Sequence, residues 1–317
     1  MPPKILVISG PTASGKTRLA VELALRHGGE VVSADSMQVY RRMDIGTAKP
    51  TPEEMRGIPH HMLDVADPEE DFSVARYVEL AAPCVDDILA RGKLPIVAGG
   101  TGLYLDSLLS GRTFAPFSPD GGLRARLEAR FDALGGGAML GELAAADPEA
   151  AARLHPNDRK RIVRALEVFQ QTGKTISQHN RETRALSPRY DALTLSLAFQ
   201  RREDMWDRID RRVDEMMAAG LAEEVRALLD SGVPVRCTAM QAIGYKEMAA
   251  ALRGGGDVCA AAEEIKLRSR QYAKRQLTWF RREPETVWVN KDEFGYDENK
   301  MLEYMLSVCH EKGITGE

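Results

Sequence analysis

A chain of 317 residues exceeds the usual size of a single hydrophobic core, which predicts one large domain with a smaller companion. Hydrophobic residues at 44% and charged residues at 28% are ordinary for a globular protein, and no apolar run approaches the ~20 residues of a membrane span. The formal net charge of −4 excludes wholesale coating of nucleic acid but allows a local basic groove.

The opening residues MPPKILVISG lack the basic, apolar and small-residue order of a secretory signal, so a cytoplasmic protein with no membrane partner is expected. Along the chain, short β-branched runs read as buried strands: Ile5 to Ile8, Val31 to Val32, Pro95 to Ala98, Leu193 to Phe199 and Val287 to Val289. Helical patterns lie between them, as at Thr17 to Arg26, Val74 to Arg91 and Arg202 to Ala219. This alternation predicts an α/β fold, a parallel sheet flanked by helices. The segment from about Phe114 to Asp191 differs, being rich in Ala, Leu, Arg and Glu and framed by FAPFSPDGG and LSPRYDA. We expect a small inserted helical domain at 114–191 within a core formed by 1–113 and 192–317.

The first strand runs into Gly10-Pro11-Thr12-Ala13-Ser14-Gly15-Lys16-Thr17, which fits G-x-x-x-x-G-K-[ST] between a strand and a helix. Such a loop turns several amides toward phosphate oxygens at a helix N-terminus, so it should hold a diphosphate or a nucleotide such as ATP. Lys16 supplies an ammonium, and the Thr17 hydroxyl can ligate Mg²⁺. The loop fixes the phosphate, not the reaction; in open α/β sheets the second substrate lies beyond neighbouring strand ends. After the second strand, Asp35 suits a base or orienter for an acceptor group; holding magnesium or capping the next turn are the competing roles. After the third predicted strand, Gly99-Gly100-Thr101-Gly102 allows close backbone approach and presents the Thr101 hydroxyl, or is a helix cap with a tight turn.

Two segments are basic. In Arg153 to Arg164, Lys160 and Arg164 fall one helical turn apart. Near the C-terminus, Lys266, Arg270, Lys274 and Arg281 fall on one helical face, with Arg268, Arg275 and Arg282 on another. Either could be a solvated face, but two around one crevice point to an RNA-sized partner. The scattered Cys84, Cys237, Cys259 and Cys309 predict free thiols rather than a disulfide framework or a zinc site. The adjacent His60 and His61 are expected to be structural, since no third metal ligand is evident.

The stretches GPTASGKT, SADSMQVYRRMDIGTAKP, GIPHHMLD, VAGGTGLYLDSLL, LHPNDRKRIVRALEV, QAIGYKE and KRQLTWFRR together make the chain resemble the bacterial tRNA dimethylallyltransferases. The resemblance runs from Lys4 to about Asn290. It implies a P-loop core with an inserted domain on the anticodon stem-loop of tRNA, and transfer of a dimethylallyl group from dimethylallyl diphosphate to N6 of the adenine beside the anticodon. By the same resemblance, Gly10 to Thr17 would hold the diphosphate with Mg²⁺ at Thr17, and Asp35 would receive the N6 amine. Ser36, Met37, Gln38, Thr101 and Arg124 would contact the base or the RNA, with Thr101 beside Asp35 in catalysis. Lys160, Arg161, Ile162, Val163 and Arg164 would line the tRNA, as would Gln241, Ala242, Ile243, Gly244, Tyr245 and Lys246. So would Lys274, Arg275, Gln276, Leu277, Thr278, Trp279, Phe280 and Arg281. Arg208 and Arg212 fall where the family has arginines facing pyrophosphate. A monomeric chain without a C-terminal zinc finger is expected. A small-molecule kinase and a nucleotide-switched binding protein share the loop, but the first needs no RNA surface and no N-K-x-D element supports the second.

Overall fold

Alternation of side chains along the first strand sets the layers: Leu6 and Ile8 point to one face of the sheet, Ile5 and Val7 to the other, all fully buried. We describe residues 2–111, 121–184 and 187–314 of a computed structural model. The strands are β1 (Lys4–Ser9), β2 (Glu30–Ser33), β3 (His60–His61), β4 (Pro95–Ala98), β5 (Asp191–Ala198) and β6 (Val287–Asn290). They form one parallel sheet in the order β3-β2-β4-β1-β5-β6. Leu6 of central β1 lies between Ile96 of β4 and Leu193 of β5. The helices Lys16–His27 and Glu298–Glu311 cover the Leu6 face, and Val74–Ala90 and Gly102–Leu109 cover the Ile5 face. The five predicted strands are present.

The two-residue strand β3 was not predicted, because two histidines carry no apolar signal. It forms by pairing with Val31 and Val32, and His61 Nε2 lies 2.8 Å from the buried carboxylate of Glu30. That carboxylate also accepts from Arg91 and Lys93, and the Arg91 bonds hold it well below the usual carboxylate range. Both histidines therefore serve the sheet edge, and no cluster of metal-ligating side chains occurs among the described residues. Among them, too, no helix is long and apolar enough to cross a membrane.

The chain divides into two compact units, Met1–Leu109 with Arg189–Glu317, and Ser110–Pro188. The Pro-rich stretch expected to lead into the smaller unit, 114–120, and Leu186 in the return segment lie outside the described residues. Within the smaller unit the helix Gly121–Ala146, broken at Gly135, packs on Arg159–Thr172 around Leu127, Met139, Leu143, Ile162 and Leu166.

Candidate active site

Every strand end that the sequence singled out lies at the carboxyl edge of the parallel sheet, where such folds bind ligands. Gly10 directly follows β1 with φ 137°, and a Cβ there would come 2.7 Å from the Leu197 carbonyl oxygen of β5. Only glycine lets the chain leave the strand at that point. Ala13 takes φ 61°, a left-handed conformation unusual for a residue with a side chain. Lys16 donates to the Pro11 carbonyl at 2.7 Å, which lays its stem back along the loop. Burial pushes the Lys16 ammonium down to about 7, the Arg212 cation adds to that, and the Asp35 carboxylate opposes it.

Asp35 follows β2 across the crevice. Its Oδ1 accepts from the amides of Met37 at 2.9 Å and Gln38 at 3.4 Å, the turn-capping arrangement expected of this residue type. Its Oδ2 has no hydrogen-bond partner among the described residues. One oxygen thus fixes the carboxylate while the other has no hydrogen bond to hold it. Thr101 Oγ1, at the start of the Gly102–Leu109 helix, accepts from the Ser36 amide at 3.0 Å and donates to Ser36 Oγ at 3.3 Å. Gln38 accepts from Ser33 Oγ and donates to the carbonyls of Thr47 and Ala48. These bonds brace the turn, and Gln38, expected to contact the RNA or the base, also lines the cavity that holds Lys16 and Asp35.

The helix Arg202–Ala218 brings the arginines. Arg212 lines the same small cavity as Lys16, Thr17 and Asp35, about 110 Å³ in volume. It makes no ion pair among the described residues, and burial holds its guanidinium below the usual arginine value. Arg212 is thus a half-buried cation with no ion pair among those residues, facing the P-loop across this cavity. Arg208 instead donates through Nε to the Ala13 carbonyl at 3.1 Å, so it braces the loop backbone.

A larger cavity of about 310 Å³ adjoins this one, sharing Thr12, Ala13, Asp35, Arg212 and Tyr272 with it. Its further walls include Met37, Val213, Met216, Ile243 and Ile265. Tyr272 was missed by the sequence reading. Its helix, Val258–Phe280, presents Ile265, Ser269 and Tyr272 on one face at the i, i+4, i+7 spacing, the signal that could have found it. Burial, helped by Asp35, pushes the Tyr272 phenol up to about 12.

The three stretches carried over as tRNA contacts divide by burial. In the last, Lys274, Arg275, Thr278 and Arg281 are exposed, but Gln276 and Phe280 are buried and Leu277 half-buried. Gln276 accepts from the Thr12 amide at 2.9 Å and donates to the Gly100 carbonyl at 2.8 Å, locking the P-loop to the turn after β4. A Cβ on Gly99 would come 2.2 Å from the Ala34 backbone carbonyl oxygen, which is why that turn needs glycine. Trp279 Nε1 donates to Asp106 at 2.9 Å. Lys266 bonds Asp214 at 2.7 Å, and Arg270 Nε bonds Asp210 at 2.8 Å, so the basic face expected from Lys266 to Arg281 is half consumed joining two helices. In the middle stretch Gln241 and Lys246 are exposed, Ala242 and Gly244 are buried, and Ile243 is half-buried. Buried Tyr245 donates to Glu224, whose carboxylate also accepts from the amides of Asp44, Ile45 and Gly46.

Within the smaller unit, Lys160 and Arg161 are exposed and make no ion pair among the described residues, whereas Ile162 and Val163 are core. Arg164 at 2.8 Å and Arg124 at 3.5 Å both hold the buried Glu167 carboxylate. Lys160 also lines a cavity of about 450 Å³ with Arg124, Glu128, Arg159 and Val163. Ile162, Val163, Tyr245, Gln276 and Phe280, expected to line the tRNA, are buried, each 5% exposed or less, so packing takes most of their side-chain surface.

Comparison with known proteins shows the family. The family described as IPP transferase matches residues 38–283, and that described as isopentenyl transferase matches residues 3–70. A tRNA dimethylallyltransferase of Acetivibrio thermocellus is 48% identical over 306 residues, 96% of this chain and 97% of the relative. One from Geobacter sulfurreducens is 50% identical over 286 residues, 90% of this chain and 91% of the relative. The solved tRNA isopentenylpyrophosphate transferase of Staphylococcus epidermidis superposes with a TM-score of 0.71 at 40% identity, covering 98% of this chain and 99% of that one. A eukaryotic dimethylallyltransferase solved acting on tRNA gives 0.75 at 32% identity over 87% of this chain and 69% of that one. With a family match over most of its length and relatives near half identical across nearly all of it, this chain belongs to the IPP transferase family.

Proposed function

We propose that this chain transfers a dimethylallyl group from dimethylallyl diphosphate to the N6 amine of the adenine beside the anticodon of tRNA, releasing diphosphate. The observation that carries this is the meeting of Lys16, Arg212 and Asp35 on one small cavity, beside a larger one walled by Val213, Met216 and Ile243. Two cations and the loop amides suit a diphosphate, and the apolar walls suit a short prenyl chain. The relatives named as tRNA dimethylallyltransferases support tRNA as the acceptor.

An aromatic amine is a weak nucleophile, because its lone pair is delocalised into the ring. Asp35 accepts a hydrogen bond from N6–H and takes the proton as the new C–N bond forms. The allylic C–O bond breaks at the same centre, and its electron pair leaves with the diphosphate. The loop amides, Lys16 and Arg212 stabilise that developing charge. The adenine reaches the site extruded from its stack, which costs a few kcal/mol and calls for a closed pocket. Thr17 lines the loop cavity with its hydroxyl unpaired among the described residues, which fits Mg²⁺, an ion whose shell phosphates and waters largely complete. Bound there, Mg²⁺ supplies charge that offsets the diphosphate.

The inserted domain at 114–191, with Lys160 and Arg161, and the exposed Lys274, Arg275 and Arg281 serve the tRNA backbone. The enzyme works as a cytoplasmic monomer. Incubating purified protein with unmodified tRNA, dimethylallyl diphosphate and Mg²⁺, then analysing digested nucleosides by mass spectrometry, tests the reading. A prenylated adenosine from the anticodon loop is expected; its absence with active protein would overturn the assignment.

A further inference from the structure

Lys291 has no role in the chemistry above, yet it is among the most buried charged groups in the chain, 1% exposed. It directly follows β6, at the same sheet edge as the P-loop. The turn that carries it is tied to the end of β5, where the Asp292 carboxylate accepts from the amides of Gln200 at 2.8 Å and Arg201 at 3.3 Å. From there Lys291 Nζ donates to the Ser14 carbonyl at 2.9 Å. Its ammonium lies 5.9 Å from the Phe199 ring centroid and 3.9 Å from a Glu298 oxygen, and Arg18 takes the other Glu298 oxygen at 2.7 Å. Lys291 does not form part of the wall of the loop cavity.

The neighbouring carbonyl is held in the same way, since Arg208 donates to Ala13 at 3.1 Å. Two consecutive loop carbonyls, Ala13 and Ser14, thus each accept from a cation. Each carbonyl shares its peptide unit with the amide of the next residue. A cation on the oxygen increases the dipole of that unit, and hydrogen bonds in series strengthen one another. The amides concerned are those of Ser14 and Gly15, within the run that a loop of this pattern turns toward phosphate. The same two bonds restrain Ala13 at φ 61°, a conformation that persists only where its surroundings over-determine it.

We infer that Lys291 is a positioning residue for the diphosphate, acting through the Ser14–Gly15 peptide to fix the P-loop and strengthen the Gly15 amide as a phosphate donor. This rests on the reading of Gly10 to Thr17 as the diphosphate site. Burial and the nearby Arg208 push its ammonium down to about 8, so it is largely charged at neutral pH.

The test titrates inorganic pyrophosphate with Mg²⁺ at pH 7 into wild type, Lys291→Met and Lys291→Arg, alongside tRNA binding and melting temperature. Loss of a charge-assisted bond behind the loop should weaken pyrophosphate binding by about tenfold or more in Lys291→Met. Affinity for tRNA should stay within about twofold, because most of it comes from phosphate contacts made elsewhere. Lys291→Arg, which keeps the cation, should hold pyrophosphate within about threefold of wild type. Unchanged pyrophosphate binding in Lys291→Met overturns the inference, as do parallel losses of pyrophosphate and tRNA, or a loss in Lys291→Arg equal to that in Lys291→Met. If Lys291→Met does not fold, Lys291→Gln takes its place, with weakened pyrophosphate binding supporting the inference and normal binding overturning it. Wild-type protein that binds no pyrophosphate would instead overturn the reading of the loop itself, and this inference with it.

Discussion

Thr101 Oγ1 accepts a 3.0 Å hydrogen bond from the Ser36 amide, joining the end of β4 to the turn that carries Asp35. Under the proposed function this bond would help aim the Asp35 carboxylate. Thr101→Ala leaves that amide without its partner, and a part-buried unpaired donor costs about 1–3 kcal/mol. We expect kcat to fall by about tenfold or more, with Thr101→Ser near wild type because it restores the oxygen. Equal kcat for Thr101→Ala and wild type would mean the turn holds without it.

Asp35→Asn preserves the turn, since an amide oxygen can still accept from Met37 and Gln38. It cannot take a proton at neutral pH. Turnover should drop by roughly 10²–10⁴, the usual contribution of general-base assistance. Single-turnover rates across a magnesium titration decide between base and metal ligand. Excess Mg²⁺ should not rescue the variant, and a clear rescue would return Asp35 to the metal.

Much of this site was legible because glycine spacing and strand ends have chemical meaning in one dimension. The P-loop, Asp35 and Thr101 each follow an apolar run, and the structure brings all three to one edge. Burial within a contiguous motif was not legible. KRQLTWFRR is one string, but on the Val258–Phe280 helix Lys274 and Thr278 face out while Gln276 and Phe280 face in. Nor does a string reveal partners: Lys266 and Arg270 look like a free basic face until Asp214 and Asp210 lie beside them. Lys291 was invisible for the opposite reason, because a lysine after a strand reads as a solvent-facing end.

In the smaller unit, neighbouring cations should behave differently. Arg164 bonds the buried Glu167 at 2.8 Å, so Arg164→Ala weakens the support of a buried carboxylate and should cost about 1–3 kcal/mol in denaturant unfolding. Replacing exposed Lys160 and Arg161 by Ala should change stability by no more than about 0.5 kcal/mol. If these two contact tRNA phosphates, the double variant should reduce the slope of log affinity against log salt by about 1–2. An unchanged slope would make them a solvated face.

Lys16 makes opposite demands on activity and stability, and pH should separate them. Burial has lowered its pKa to about 7 from 10.5. Diphosphate binding favours the ammonium, so kcat/KM for the prenyl donor, which reports the free enzyme, should fall as pH rises through about 7. Under saturating donor the bound anion raises the Lys16 pKa, so kcat should hold to higher pH. Stability moves the other way. Between about 7 and 10.5 the unfolded chain keeps a proton on Lys16 that the folded chain has released, so unfolding free energy rises with pH across that window. Below about 7 the folded state carries the full desolvation cost of the buried ammonium. Lys16→Met removes both effects. It should cripple transfer yet melt higher than wild type near pH 6, with the advantage shrinking toward pH 10. Lys291, also lowered, is present in both proteins and cancels in the difference. A melting-temperature difference that stays flat from pH 6 to 10 would show that Lys16 is not the titrating group.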